Sequence, residues 1–320
     1  MRDVLMFHRL RKFLKSRDLF RNWFSAGLKY VVAKYGFVQG DIDVVFRCGF
    51  RTRLNLSTYG FFVNGYSSGL LRLLSCSGGV WFRYGGDNKL VDLGFLGDGV
   101  FVFNYLGREI KLFLDDFPYF LHDIIFENFL GGAYNDLEVG NRIVVDIGAG
   151  VGDSAIYFVL RGAEKVIALE PYPLLYSIAR RNIMLNGVGD RVVLLNAGLG
   201  SSDQYLCADY EAPSGYVLFR PSRECAAKVR IYSLDSLVKE FTLDKAILKI
   251  DCEGCEYDVF KKELDPEILR RFDQIIIEYH KGPEPIATIL RKAGFEIKTS
   301  PIKSSNVSIN KQGYIIALLK

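Results

Sequence analysis

The chain has 320 residues, 49% hydrophobic and 24% charged, which excludes a disordered or fibrous protein and leaves enough length to bury a sizeable core. No stretch approaches the ~18 uncharged apolar residues that a membrane-spanning helix requires. Arg9, Arg11, Lys12, Lys15, Arg17 and Arg21 interrupt any signal-peptide apolar region, and six cysteines are too few for a disulfide scaffold, so a cytoplasmic location is expected. The net charge of +4 is uneven, because residues 1–35 hold nine Lys/Arg against two acids. That argues against a nucleic-acid footprint spread over the whole surface and leaves open a local contact with phosphate or membrane.

Three regions follow in chain order: 1–35, 36–135 and 136–320. Residues 5–35 read as an amphipathic helix, with Leu10, Phe13, Leu14, Phe20, Trp23, Phe24, Leu28, Val31 and Val32 at helical spacing and basic residues between them. It is expected to pack on the core and to show a solvated basic face. Residues 36–116 read as antiparallel hairpins, with strands at 42–47, 80–84, 100–105 and 109–114. Gly85-Gly86-Asp87-Asn88, Gly97-Asp98-Gly99 and Leu106-Gly107 supply the turns. A connecting helix starts at Pro118 and runs to about Phe129.

From residue 140 strands and helices alternate, the pattern of a mostly parallel sheet with helices on both faces. Strands are expected at 142–147, 165–170, 191–196, 245–251, 272–280, 294–299 and 312–319. Helices fit at 153–162, 173–187, 233–241, 255–263 and 283–293. The last strand follows its predecessor without an intervening helix and is expected to be antiparallel.

The first chemical signal is Val144-Val145-Asp146-Ile147-Gly148-Ala149-Gly150-Val151-Gly152-Asp153. An apolar strand ends in glycines where open α/β sheets bind ligands, and a helix opens at once. A dinucleotide fingerprint needs glycine at position 153, but Asp153 stands there and would repel a pyrophosphate at that helix N-terminus. The loop suits a ligand without phosphate, and S-adenosylmethionine fits. Asp146, Gly148, Ala149, Gly150, Gly152 and Asp153 are therefore cofactor-site candidates. Glu170, at the end of the second strand, can accept from both ribose hydroxyls. Pro171 and Tyr172 offer an apolar face to adenine, and Asn196-Ala197 address its edge.

The fourth and fifth strands end in Asp251-Cys252-Glu253-Gly254-Cys255-Glu256 and Glu278-Tyr279-His280. Asp251, Glu253, Glu278 and His280 converge there as proton-transfer or cation-binding candidates, whereas Glu256 reads as an N-terminal charge on the following helix. Cys252 and Cys255 lack the second pair that structural zinc needs and read as packing residues, with Cys207 and Cys225 elsewhere.

From about Glu127 onward the chain resembles the FkbM family of S-adenosylmethionine-dependent methyltransferases. The matching motifs are Val145–Ala149, Leu169-Glu170-Pro171, Asn182 through Asn186, Tyr232–Leu237 and above all Leu248-Lys249-Ile250-Asp251-x-Glu253-Gly254-x-Glu256. The resemblance implies a class I methyltransferase fold, an α/β seven-stranded sheet of order 3-2-1-4-5-7-6, and methyl transfer to a hydroxyl oxygen of a sugar or small metabolite. It does not cover residues 1–116. Asp251 and His280 are the candidate bases, with Glu253 and Glu278 supporting them. A divalent cation on Asp251, Glu253 and Glu278 is an alternative way to acidify the acceptor. An RNA methyltransferase gripping RNA through the basic N-terminus, and a non-catalytic cofactor-binding scaffold, are the rival readings.

Overall fold

The computed structural model describes residues 2–208, 227–261, 264–302 and 308–320. Cys225, and most of the segment 200–228, lie outside the described residues. The described chain forms two units, Met1–Phe126 and Glu127–Lys320.

In the first unit, the continuous helix expected over 5–35 is two helices, Arg2–Leu19 and Trp23–Lys34. Asn22 causes the break. Its Nδ2 donates to Asp43 O, its Oδ1 accepts from the Val45 N–H, and the Arg21 N–H donates to Val45 O. These residues pair with strand Ile42–Val45 instead of continuing the helix. The second helix buries Ala26, Gly27 and Ala33. Arg11, Arg17, Arg21 and Lys34 are exposed as expected, and the second helix also shows Phe24, Leu28 and Val31 to water.

The hairpin reading holds. Five antiparallel strands run in sequence order: Leu71–Cys76, Val80–Gly86, Lys89–Gly97, Val100–Tyr105 and Arg108–Phe113. At Asp87-Asn88, Asp98-Gly99 and Leu106-Gly107 both residues take positive φ, the handedness that matches the twist of the flanking strands. A small ribbon pairs Ile42–Val45 with Arg51–Leu54. Phe46, Phe62, Phe82, Phe95 and Phe101 pack ring on ring between the helix Leu56–Ser68 and the sheet. That helix has no sequence counterpart above. Asn55 caps it by accepting from the Thr58 N–H. The expected helix from Pro118 is a 3-10 turn, Pro118–Phe120, followed by a π-helical segment, Asp123–Phe129. Cys48 is joined to Cys76, and Cys252 to Cys255, so the cysteines at 252 and 255 do more than fill space.

The second unit holds the seven-stranded sheet: β1 Ile143–Ile147, β2 Lys165–Leu169, β3 Val192–Leu195, β4 Ala246–Ile250, β5 Phe272–Tyr279, β6 Phe295–Ser300 and β7 Gly313–Leu319. Their spatial order is β3-β2-β1-β4-β5-β7-β6, with β7 antiparallel between β5 and β6. This is the strand order that the resemblance implies. The inner strands are nearly continuous apolar runs because helices cover both faces. Val145, Ile147, Leu248, Ile250, Ile275 and Ile277 sit in one buried cluster with Leu234, Leu237, Ile286 and Leu290. Helices Asp153–Leu160, Pro173–Leu185, Leu234–Glu240 and Glu284–Lys292 match expectation, whereas the helix after β4 is one turn, Glu256–Val259. A further sheet of Ala197–Leu199, Gln204–Ala208 and Ala227–Tyr232 was not foreseen. Among the described residues no helix is long and apolar enough to cross a membrane.

Candidate functional site

The ends of β1, β2, β4 and β5 build the site. At the end of β1 the chain turns at Gly148, with φ 74°. A Cβ there would lie 1.8 Å from Asp251 O, so only glycine lets the end of β4 come this close. The Asp251 N–H donates to Ile147 O at 3.0 Å. Two strand ends that the sequence separates by a hundred residues are thereby laced together, and Asp251 is fixed beside the loop. A Cβ at Gly150 would meet nothing within 4 Å, so the loop presents open backbone on that side.

Inside the loop sits a buried ion pair. Asp146 on β1 and Lys249 on β4 are register partners on adjacent strands, with Nζ 3.0 Å from Oδ1. Lys249 also donates to Gly148 O at 2.8 Å, and Ser154 Oγ donates to Asp146 Oδ2 at 2.6 Å. Burial alone would lower the Lys249 pKa, but Asp146 and Asp251 outweigh it and hold it above its usual value. Lys249 is thus the internal cation that makes the acidic strand ends tolerable.

Glu170 lies at the end of β2, almost fully buried. One oxygen accepts from the Gly150 N–H at 2.8 Å and the other from the Tyr172 N–H at 2.9 Å. Burial pushes its pKa up to about 7, against those two bonds. Asp153 opens the next helix, is buried, and accepts from Asn128 Nδ2 at 2.8 Å; its pKa is raised, chiefly by burial. Asn196 spends its amide group on the Glu170 and Pro171 carbonyls. It therefore shapes the strand end, whereas the sequence reading has it addressing an adenine edge. Ala197 and Tyr172 are buried beside it. The residues fit a cationic, phosphate-free nucleoside ligand: Asp146, Asp153 and Glu170 are acidic, the loop backbone is open at Gly150, and the basic side chain there, Lys249, is buried on Asp146.

The second half of the site surrounds His280. Its Nδ1 sits 3.0 Å from Glu256 Oε1. Its Nε2 lies 3.3 Å from Glu253 Oε2 and 3.5 Å from Glu278 Oε1, ionic contacts without a formed hydrogen bond. Burial would lower its pKa, but Glu256, Glu278 and Glu253 reverse that and push it up to about 11. Those three carboxylates favour the imidazolium form of His280, which opposes the role of base that the sequence reading gave it. Glu278 also accepts from Gln312 Nε2 at 2.8 Å. Burial raises Glu278, yet His280 and Gln312 outweigh it and hold it below the usual carboxylate range. Asp251 moves the other way: burial and then Glu278 push it well above that range. Glu253 is raised, mainly by burial. It sits at φ 54° before Gly254 at φ 121°, in a turn that the Cys252–Cys255 bridge closes.

Sequence reasoning missed four contributors. Lys249 lay hidden as one charge in an apolar strand. Glu256 is fully buried on His280 and the Gly254 N–H, where only a helix-terminus charge was expected. Gln312 gave no signal. Tyr134 is buried, with its hydroxyl pKa raised well above normal by burial and by Asp251, Asp153 and Asp146.

Residues 146–297 match the family model described as Methyltransferase FkbM domain. That stretch of the chain is therefore similar to the FkbM methyltransferase domain. Methyltransferase sdnD of Sordaria araneosa is 26% identical over 194 residues, 49% of this chain and 74% of that protein. Uncharacterized protein 158B of Sulfolobus islandicus rod-shaped virus 1 is 27% identical over 161 residues, 50% of this chain and 74% of that one. Among solved structures, the methyltransferase FkbM of Methylobacillus flagellatus KT aligns at TM-score 0.40 and 14% identity, over 57% of this chain and 45% of its own. The matched residues lie within the second unit, and the chain spans under half the length of that solved relative.

Proposed function

We propose that the second unit transfers the methyl group of S-adenosylmethionine to a hydroxyl oxygen of a sugar or other small metabolite. The observation that carries this reading is the position of Asp251, laced to the cofactor-type loop at Gly148 and held at a raised pKa beside ionised Glu278. S-adenosylmethionine supplies, when bound, an electrophilic methyl on a cationic sulfur, and that charge favours the ionised form of Asp251. Glu170 holds the ribose hydroxyls and the 148–152 backbone holds the rest of the ligand. Asp251 takes the acceptor's proton as the acceptor oxygen receives the methyl. A base of raised pKa is the stronger proton acceptor, and such a group typically adds ~10²–10⁴-fold. Positioning of the acceptor supplies the larger part. His280, clasped by Glu256, holds Glu278 below the usual carboxylate range and opposes the rise that burial causes at Glu253.

A second reading replaces proton abstraction by a divalent cation. Asp251, Glu253 and His280 each offer one ligand atom within 4.8 Å of the others, and Glu278 stands beside them. A cation on Asp251, Glu253 and Glu278 needs no His280 lone pair, so sensitivity of turnover to EDTA, and not the charge on His280, divides this reading from proton abstraction by Asp251. Incubating metabolite extracts with the protein and isotopically labelled cofactor, followed by mass spectrometry, tests the function. A labelled O-methyl product supports it, and label confined to RNA or protein overturns the choice of acceptor.

A further inference from the structure

We propose that the outer side of helix Trp23–Lys34, with Phe37 and Val38 just beyond it, docks on an anionic lipid surface. Phe24, Leu28 and Val31 recur at helical spacing on the side opposite Ala26 and Ala33. They are 60%, 53% and 43% exposed, and Phe37 and Val38 are 81% and 42% exposed. The inner side is tightly seated, since a Cβ on Gly27 would come within 2.4 Å of the Phe13 ring. A helix apolar on both sides is the pattern of a buried helix, yet here one side faces water.

The charge around this strip selects the occupant. Residues 11–34 hold seven Lys/Arg and one Asp; Lys12 and Lys15 donate to Asn64 Oδ1 and Ser67 O and Lys29 lies 3.7 Å from Asp43, which leaves Arg11, Arg17, Arg21 and Lys34 exposed. Apolar side chains flanked by basic ones suit a leaflet of anionic headgroups over acyl chains. Trp23, half-buried and edge-on to Phe24 at 5.7 Å, is the residue type that settles at the headgroup level. RNA is a poor match, because Leu28 and Val31 neither stack on bases nor hydrogen-bond. A second copy of the chain is a poor match too. Five such side chains offer on the order of 500 Å², short of the ~800 Å² per partner of a standard dimer.

The test is co-sedimentation of the full chain with vesicles of phosphatidylcholine alone or mixed with phosphatidylserine. Binding is expected to the mixed vesicles only, weakening as salt rises, with a blue shift of tryptophan fluorescence that Trp81→Phe retains. Phe24→Asp with Leu28→Asp is expected to weaken binding by about tenfold or more. Both positions are exposed, so the thermal melt of that variant should match wild type. No binding of wild type to mixed vesicles overturns the proposal. So does binding that the variant leaves unchanged, or a dimer in solution that the variant dissolves, which would give the strip to a second copy.

Discussion

Lys249 Nζ lies 3.0 Å from Asp146 Oδ1 on the neighbouring strand, and both side chains are almost wholly buried. Removing one partner of such a pair leaves an uncompensated charge in the interior, at a typical cost of ~3–5 kcal/mol. Lys249→Met is therefore expected to lower the urea midpoint strongly. Adding Asp146→Asn should recover much of that loss, because the neutral pair no longer buries a lone charge. Urea titrations of the two variants check this, and equal losses in both would show that the pair's geometry matters more than its charge.

The same pair marks the boundary of what a sequence reveals. The seven strands were legible, because strands covered on both faces are apolar runs and the turns between them are rich in glycine, whereas their order came only from the family resemblance. Asp251, Glu253, Glu278 and His280 were legible as strand-end charges. What stayed hidden depended on distant partners. Lys249 reads as an interruption in a strand until Asp146 is beside it. Glu256 reads as a helix-end charge until His280 arrives from β5. Leu56–Ser68 was missed because its aromatics and Thr58, with Gly60 and Gly65 among them, carry little helix propensity. Packing of Phe61 and Phe62 in the aromatic core overrides that.

Glu170 has a pKa pushed up to about 7 by burial, so its charge state changes within the ordinary pH range. Only the carboxylate accepts from both ribose hydroxyls. Cofactor affinity is expected to be full above this pKa and to fall as the pH drops through it. Glu170→Gln should bind more weakly by about 1.5–3 kcal/mol at alkaline pH and should lose the pH dependence. Calorimetric titration of S-adenosylmethionine across pH checks both. A pH-independent affinity in wild type would mean that Glu170 does not carry the ribose contact.

His280 predicts a pH effect on stability. Its folded pKa of about 11 stands above the ~6.5 of an unfolded histidine. The stabilisation is complete below the unfolded value and is lost as pH rises towards the folded one. The melting temperature of wild type should therefore drift down over that window, relative to His280→Gln, which lacks the titrating ring. Parallel melting curves against pH compare the two, and identical slopes would show that the imidazolium is not held as described.

Asp251 separates the proton-transfer and cation readings. Asp251→Asn preserves shape but takes no proton at neutral pH, so turnover should fall ~10²-fold or more with little change in cofactor affinity. If Asp251 is the base, kcat/KM of wild type rises with pH towards its raised pKa, because the ionised form must be present, and EDTA has no effect. If a cation on Asp251, Glu253 and Glu278 acidifies the acceptor, EDTA abolishes turnover and added Mg²⁺ restores it. His280→Gln serves as the control. If the imidazolium only positions its neighbours, the variant keeps a rising limb, moved to higher pH because His280 no longer lowers the Asp251 pKa, and its plateau is lower. Near wild-type turnover in both Asp251→Asn and His280→Gln would remove proton transfer from this cluster, leaving methyl transfer to acceptor positioning alone.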